Sequence, residues 1–425
     1  MKLKTTKSLW GMLAVLAFSA CSSNSEEGSD QQFWTVTLQA SMDDATSRAL
    51  SEGAGNAITA SFAVNDEVVV VDADGSTIVG TLRADAAGVN TTLKGDLNAS
   101  SLENGEVVTL RYRSATATYD GQAGTLAGIS TGQDYAEGTL TVSAISPLTF
   151  TSDNVTLSAK QSITKFSFTN GTNPVNVQTF GIAATGLVQS ITKNATETVG
   201  PVTGTLTSAS ADVYVALRNN SGAKQTYSFM VKGGDGHWYT GTKKANLENG
   251  KNYTASVTLT QLPALTNSDA VGTIGVVGNL PAIVVDFSGT KKAVALMNVG
   301  ALCPEAYGTY YPFTALPSLS DGWYVPSWDE LKALRDISPK AWGTQNGVDG
   351  YLFTIGGHTL FLPAAGFDDI NNSNGMSNVS TLGCYWSSQS YDDNISYVLR
   401  FNSTGINTYS DYKVNALSVR PFHAL

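Results

Sequence analysis

The stretch LENGKNYTASVTL, residues 247–259, pairs a turn with a strand. Asn249-Gly250 is a dipeptide that reverses the chain, because both residue types tolerate tight turn geometry. Tyr253, Ala255, Val257 and Leu259 then alternate with Thr254, Ser256 and Thr258. That period of two puts one face of a strand on a core and the other in water. The same tetrapeptide stands at Leu102-Glu103-Asn104-Gly105, before EVVTLRYR (106–113). The region from Phe33 to about Leu262 therefore reads as two similar halves, each closing on LENG plus a strand. The first half opens on FWTVTLQA (33–40) and continues through ITASFAVNDEVVVVDADGSTIVGTL (58–82), where Asp74-Gly75 marks a hairpin turn. The second runs through SITKFSFTNG (162–171), TFGIAATGL (179–187), ADVYVALRNN (211–220) and TYSFMVKGGDGHWYTGTKKA (226–245). Many short strands separated by turns predict β-sandwiches. The expected boundaries are 33–152 for the first sandwich and 153–264 for the second.

The alternation stops near QLPALTNSDAVG (261–272), and residues 271–425 follow another pattern. In DGWYVPSWDELKALRDISP (321–339), Ser327 and Glu330 form a Ser-x-x-Glu capping box. Trp328, Leu331 and Leu334 mark one apolar face, and Pro339 marks a stop. Strand-like runs follow, which predicts an α+β domain. The expected architecture is mainly β: two tandem sandwiches and an α+β module.

Composition narrows function. The 425 residues carry 25 Lys and Arg against 35 Asp and Glu, for a formal net charge of −10, which argues against a polyanion partner. The three histidines are far apart, and neither a His-Glu-x-x-His pattern, a Gly-x-Ser-x-Gly elbow nor a phosphate loop occurs. The expectation is a non-enzyme with no cofactor, no metal and no nucleic-acid partner. The Gly in DDINNSNG (368–375) falls at the wrong offset for a calcium loop.

The N-terminus places Lys2, Lys4 and Lys7 before an apolar run, Leu9 to Phe18, and then Ser19-Ala20-Cys21. That order is a secretory signal of residues 1–20, too short to span a membrane well. Cys21 after small residues resembles a lipobox, with Phe18 where Leu is usual, and implies lipidation at Cys21. An ordinary signal peptide containing a cysteine is the alternative. Residues 21–32 form a small, acidic tether, in which Ser25-Glu26-Glu27 resembles the export signal of Bacteroidetes surface lipoproteins. Losing the signal leaves 22 basic against 35 acidic residues, a balance of −13.

Arg48 is the only basic residue between Lys7 and Arg83, among small and acidic neighbours. Taken alone it is either a solvated arginine or a cleavage site. Cys303 and Cys384 remain once Cys21 is lipidated; an exported chain favours a disulfide between them, two buried thiols being the alternative. Trp323, Trp328 and Trp386 could stack on sugars, but their placement favours a core role. Two polar loops suit adaptable recognition: Asp368, Asp369, Asn371, Asn372 and Asn374 in one, and Tyr391, Asp392, Asp393 and Asn394 in the other.

Two family resemblances arise from these residues. TSRALSEG (46–53), ITASFAVNDEVVVV (58–71), ADVYVAL (211–217) and LENGKNYTASVTL (247–259) resemble, in that order, the fimbrillin family of Bacteroidetes pilus subunits. GWYVPSWDEL (322–331), LFLPAAGF (360–367), GCYWSSQSYDD (383–393) and ALSVRPF (416–422) are similar to C-type-lectin-like modules of bacterial surface and major-paralogous-domain proteins, without the calcium-and-sugar motifs of true C-type lectins. The first resemblance implies an outer-membrane lipoprotein precursor cut between Arg48 and Ala49. Residues 33–48, with the first strand, are then lost, and a strand from another pilus subunit fills the groove. Because a globular domain follows the second sandwich, no free donor strand is evident, which implies a tip subunit presenting an adhesin toward a glycan or protein ligand. The alternative is a monomeric surface-anchored lipoprotein that binds glycan or protein. A membrane-anchor subunit is a third reading, disfavoured by the C-terminal domain.

Overall fold

The computed structural model describes residues 32–42, 61–369 and 376–425. The strands of the first domain are β1 (Phe33–Met42), β2 (Glu67–Val71), β3 (Ile78–Ala84), β4 (Asn90–Asn98), β5 (Val107–Tyr112), β6 (Ala117–Thr118), β7 (Ala136–Ile145), β8 (Leu148–Phe150) and β9 (Asn154–Ala159). Their order is β5-β2-β3-β4-β1-β9-β7-β8, and β5 also pairs with β7. The two layers of the expected sandwich are thus joined at both sides into a ring, with β8 at its margin paired to β7 alone among the described strands. Its core contains Val68, Leu82, Leu93, Leu97, Leu110 and Leu157. Gly75 turns the β2–β3 hairpin with φ +72, its amide donating to the Asp72 carbonyl at 3.1 Å, as the Asp74-Gly75 dipeptide predicts.

The second domain contains β10 (Ser162–Asn170), β11 (Asn173–Pro174), β12 (Val177–Ala183), β13 (Leu187–Ile191), β14 (Glu197–Val199), β15 (Val202–Ser210), β16 (Asp212–Asn219), β17 (Gln225–Gly233), β18 (Trp238–Ala245) and β19 (Asn252–Gln261). Its sheet runs β14-β13-β16-β10-β19-β18-β17-β12-β15. The two domains share one topological mark. In each, the first strand lies parallel to the last: β1 with β9, and β10 with β19. The other ladders of both sheets are antiparallel.

This topology corrects two expectations. β9 belongs to the first sheet, so that sheet extends past residue 152. The two LENG repeats are equivalent as turns but not as places in the sheet. Gly105 (φ +88) and Gly250 (φ +71) make the same left-handed turn after a buried leucine. Yet the first leads into β5, in the middle of its domain, and the second into β19, the last strand of its own. Short-range sequence similarity fixed the turn and not the register around it.

A third feature was not legible. Between β5 and β7 the chain leaves the first ring and packs into the second domain. β6 pairs with β13, and the helix α1 (Leu126–Gly132) follows, capped by the Thr125 hydroxyl. Tyr119, Ile129 and Tyr135 lie in the core of the second domain. Buried Gln122 holds this segment down: Nε2 donates to the carbonyls of Tyr119 (2.8 Å) and Ala216 (2.7 Å), and Oε1 accepts from the Ala216 amide (2.9 Å).

The C-terminal region begins with β20 (Ile274–Val277), β21 (Leu280–Phe287) and β22 (Thr290–Ala295), and the strand Phe422–Ala424 returns to pair with β22. The predicted helix is α2 (Trp328–Asp336), with both halves of the capping box formed at Ser327 and Glu330. Burial opposes ionisation of Glu330, but hydrogen bonds from Lys292, Tyr324 and Ser327 outweigh it and hold the carboxyl below its usual range. Leu331 and Leu334 are buried as expected. The domain docks on the second one: Met230, Trp238 and Leu262 share an apolar cluster with Ile283, Leu296 and Cys303. The Trp238 indole donates to the Asn279 carbonyl at 2.8 Å.

Candidate functional site

Two places answer to the expected chemistry: the slot that β1 fills, and the loop end of the C-terminal domain. β1 is wedged between β4 and β9. It pairs antiparallel with β4 from Phe33 to Ser41 and parallel with β9 from Gln39 to Met42. Its alternation is the one the sequence shows. Val36, Leu38, Ala40 and Met42 are buried, and Trp34 packs partly against the same core. The outward residues bond across strands: Thr35 to Asp96 at 2.6 Å, Gln39 to Thr92 at 3.3 Å, and Ser41 with Thr156 at 3.1 Å. Burying the three larger inward chains contributes roughly 5–9 kcal/mol at about 1.5–3 kcal/mol each. That is comparable to the net stability of a whole domain, about 5–15 kcal/mol. Cys21, Arg48 and Ala49 lie outside the described residues.

At the loop end, the turn between strands Gly383–Ser390 and Ile395–Asn402 carries Tyr391, Asp392, Asp393 and Asn394. Asp392 organises the turn. Its carboxylate accepts the amides of Asn394 (2.7 Å) and Ile395 (2.8 Å), which hold its pKa below the usual aspartate range. Tyr391 is 59% exposed and meets Tyr397 edge-on, with ring centres 5.3 Å apart. Tyr397 in turn stacks on Trp328 at 4.3 Å and 22°. Trp328 is thus half-buried at the surface and not core, whereas Trp323 and Trp386 are buried. Helical spacing marked Trp328 as inward, but it sits at the first residue of α2, where the helix face meets the loop. Asp368 lies in the short strand Phe367–Asp368, paired with Ala416 and Met376, and Asp369 follows it. Asn371, Asn372 and Asn374 fall outside the described residues. Among the described residues, no group of three or more His, Cys, Asp or Glu is placed to hold a metal, and no helix is long and apolar enough to cross a membrane.

The expected disulfide is not present: Cys303 and Cys384 are free and buried. They belong to separate apolar clusters. Cys303 sits with Met230, Trp238 and Leu362, and Cys384 with Trp386, Val398 and Leu417. Cys303 packs against β12 of the second domain, where a Cβ added to Gly181 would lie 2.5 Å from the Cys303 Cβ. Burial pushes the Cys384 thiol up to about 12 and raises Cys303 well above the ordinary thiol range, so both are held protonated. Counting cysteines could not reveal this, because pairing depends on which cores they enter.

A family model described as "Domain of unknown function (DUF8237)" matches residues 323–422, about a quarter of the chain. Its two ends meet in the structure, Tyr324 pairing with Phe422. No curated protein matches the chain. Solved structures similar to the chain include a candidate cell adhesion protein from Bacteroides ovatus, with 16% identity, 55% of this chain and 97% of that one covered, and a TM-score of 0.31. A fimbrial assembly protein from Parabacteroides distasonis has 12% identity, coverage of 55% and 99%, and a TM-score of 0.28. The tip fimbrial protein Mfa3 from Porphyromonas gingivalis, C-terminally truncated, has 9% identity, coverage of 56% and 84%, and a TM-score of 0.25.

Proposed function

We propose that the chain is a pilus subunit exported as a lipoprotein, whose first strand is removed after Arg48 so that a strand of another subunit takes its place. The observation that carries this reading is the setting of β1. It is a ten-residue strand with four buried side chains, hydrogen-bonded on both sides, and the sequence places the isolated Arg48 six residues beyond its end. Loss of such a strand leaves two unpaired edges and an apolar slot, the arrangement that captures an added strand. The described arginines, of which Arg48 is not one, lie in strands or a helix or within two residues of one, where proteases cut poorly. The C-terminal domain follows β19 directly and leaves no free donor strand there, which favours a terminal, tip position. Its lectin-like resemblance and the exposed Tyr391 turn favour a ligand-binding role at that tip. The alternative, a monomeric surface lipoprotein, keeps β1 and its lipid.

The test is Arg48→Ala in the exported chain. The proposal expects a precursor that retains residues 33–48, stays membrane-bound and is missing from sheared pili. Normal incorporation of Arg48→Ala would refute processing at this position.

A further inference from the structure

The last hairpin of the C-terminal domain has an end that lies away from the Tyr391 turn. Strands Ile395–Asn402 and Gly405–Tyr412 are joined by a short turn, at the opposite end of the first strand from Tyr391 and Asp392. Beside this turn lies an open cavity of about 500 Å3, lined by Arg400, Asn402, Thr404, Asn407 and Tyr409, with Phe401 and Ile406 behind them.

Arg400 is unusual among the described arginines. The other described arginines are all engaged. Arg83, Arg111, Arg218 and Arg335 are bound to carboxylates. Arg113 donates to the Ser130 carbonyl, and Arg420 to those of Ala295 and Phe361. Arg400 is half-buried and has no hydrogen bond or ion pair among the described residues. Asp411 lies further along the hairpin, opposite Ser396, and its Oδ1 accepts from the Tyr412 amide at 2.8 Å and the Asn415 side chain at 2.9 Å. An arriving anion would give this guanidinium the charge-assisted, forked hydrogen bonds it lacks among the described residues.

The rest of the lining supplies donors. The Asn402 carbonyl oxygen already accepts the amide and hydroxyl of Thr404, at 2.9 and 2.6 Å. The Asn407 oxygen accepts the Thr408 amide at 2.8 Å. Both carboxamides are thereby oriented with their NH2 groups left to offer. No lining residue is acidic, in a chain whose net charge is −10. Tyr409 adds a ring that is 52% exposed on a strand opposite Val398. A guanidinium, two amide donors and an exposed ring fit one chemistry. The guanidinium takes a carboxylate in a fork, the amides take ring hydroxyls, and the tyrosine covers the apolar face of a pyranose. A cavity of this order suits a small ligand and not an extended chain. We propose that this pocket binds the carboxylate of an acidic sugar residue, free or at the end of a glycan. The site is distinct from the Tyr391 turn and needs no pilus assembly.

The experiment titrates the whole soluble chain, by calorimetry or by ligand-observed NMR, with glucuronate and N-acetylneuraminate. Glucose, acetate and a short acidic peptide are the comparisons. The expected result is binding of an acidic sugar at least tenfold tighter than any of the three. Arg400→Ala should weaken it tenfold or more with an unchanged unfolding midpoint, and Arg400→Lys should recover part of the loss. Tyr409→Ala, at an exposed position, serves as the second variant and should weaken the acidic sugar more than acetate. Equal binding of glucose or acetate, tighter binding of the peptide, binding that survives Arg400→Ala, or no binding of either acidic sugar would each overturn the proposal. Because the assay is made on unassembled protein, its failure leaves the pilus reading standing, and its success does not support that reading.

Discussion

At the scale of single residues, chemistry that depends on local neighbours was legible and chemistry that depends on distant ones was not. Ser327 and Glu330 cap α2 as their spacing requires, and Gly75, Gly105 and Gly250 turn the chain where their dipeptides predict. Cys303 and Cys384 were expected to bridge and instead sit in separate cores. Deeply buried thiols held protonated react slowly, since the thiolate is the nucleophile. In a chain that begins after Cys21, alkylation under denaturing conditions without reductant should add two alkyl groups. The native chain should add almost none, and reductant should leave its unfolding midpoint unchanged. A denatured mass without added groups would restore the disulfide.

At the scale of elements, β1 shows how far a period of two can be read. FWTVTLQA gave the strand and its inward face, because alternation is set by the backbone alone; of its four inward residues Val36, Leu38 and Ala40 are fully buried and Trp34 only partly. The pattern did not give the partners. Pairing β1 parallel to β9 requires a contact across more than a hundred residues, and no local pattern encodes it. The slot nevertheless has a testable consequence. Leu38 faces the core and is 3% exposed, opposite Leu93 in the β4 register. Leu38→Asp in the unprocessed chain should cost about 3 kcal/mol or more, because it buries an unpaired carboxylate. Chemical denaturation of the first domain measures this. A loss within the ±0.5 kcal/mol typical of surface changes would mean that β1 contributes little to the slot.

At the scale of the whole molecule, the domains are laced together more closely than a linear division suggests. The segment between β5 and β7 places Tyr119, Ile129 and Tyr135 in the second core, and the Arg111 side chain reaches from β5 to the Glu137 carboxylate and the Lys193 carbonyl. The third domain docks through Trp238 and Gly181. Such lacing escapes sequence reading, because Tyr119 and Ile129 look like ordinary loop and helix residues of the first half. Tyr119 is fully buried, and its hydroxyl donates to Gln161 at 3.2 Å. Tyr119→Ala should therefore destabilise by about 3–5 kcal/mol, on the scale of other large aromatic truncations. Hydrogen exchange should locate the loss in β10, β16 and β19 as well as in the segment itself. Protection lost only between β5 and β7 would show the domains to be independent.

If β1 is exchanged during assembly, as proposed, it must be missing from the assembled fibre. The most direct test is the N-terminal sequence and intact mass of the chain recovered from sheared surface fibres and, separately, from outer membranes. A chain beginning at Ala49 is expected in the fibres, with β1 gone. A lipidated chain beginning at Cys21, retaining Phe33–Met42 and absent from the fibres, would contradict the exchange and leave a tethered binding protein.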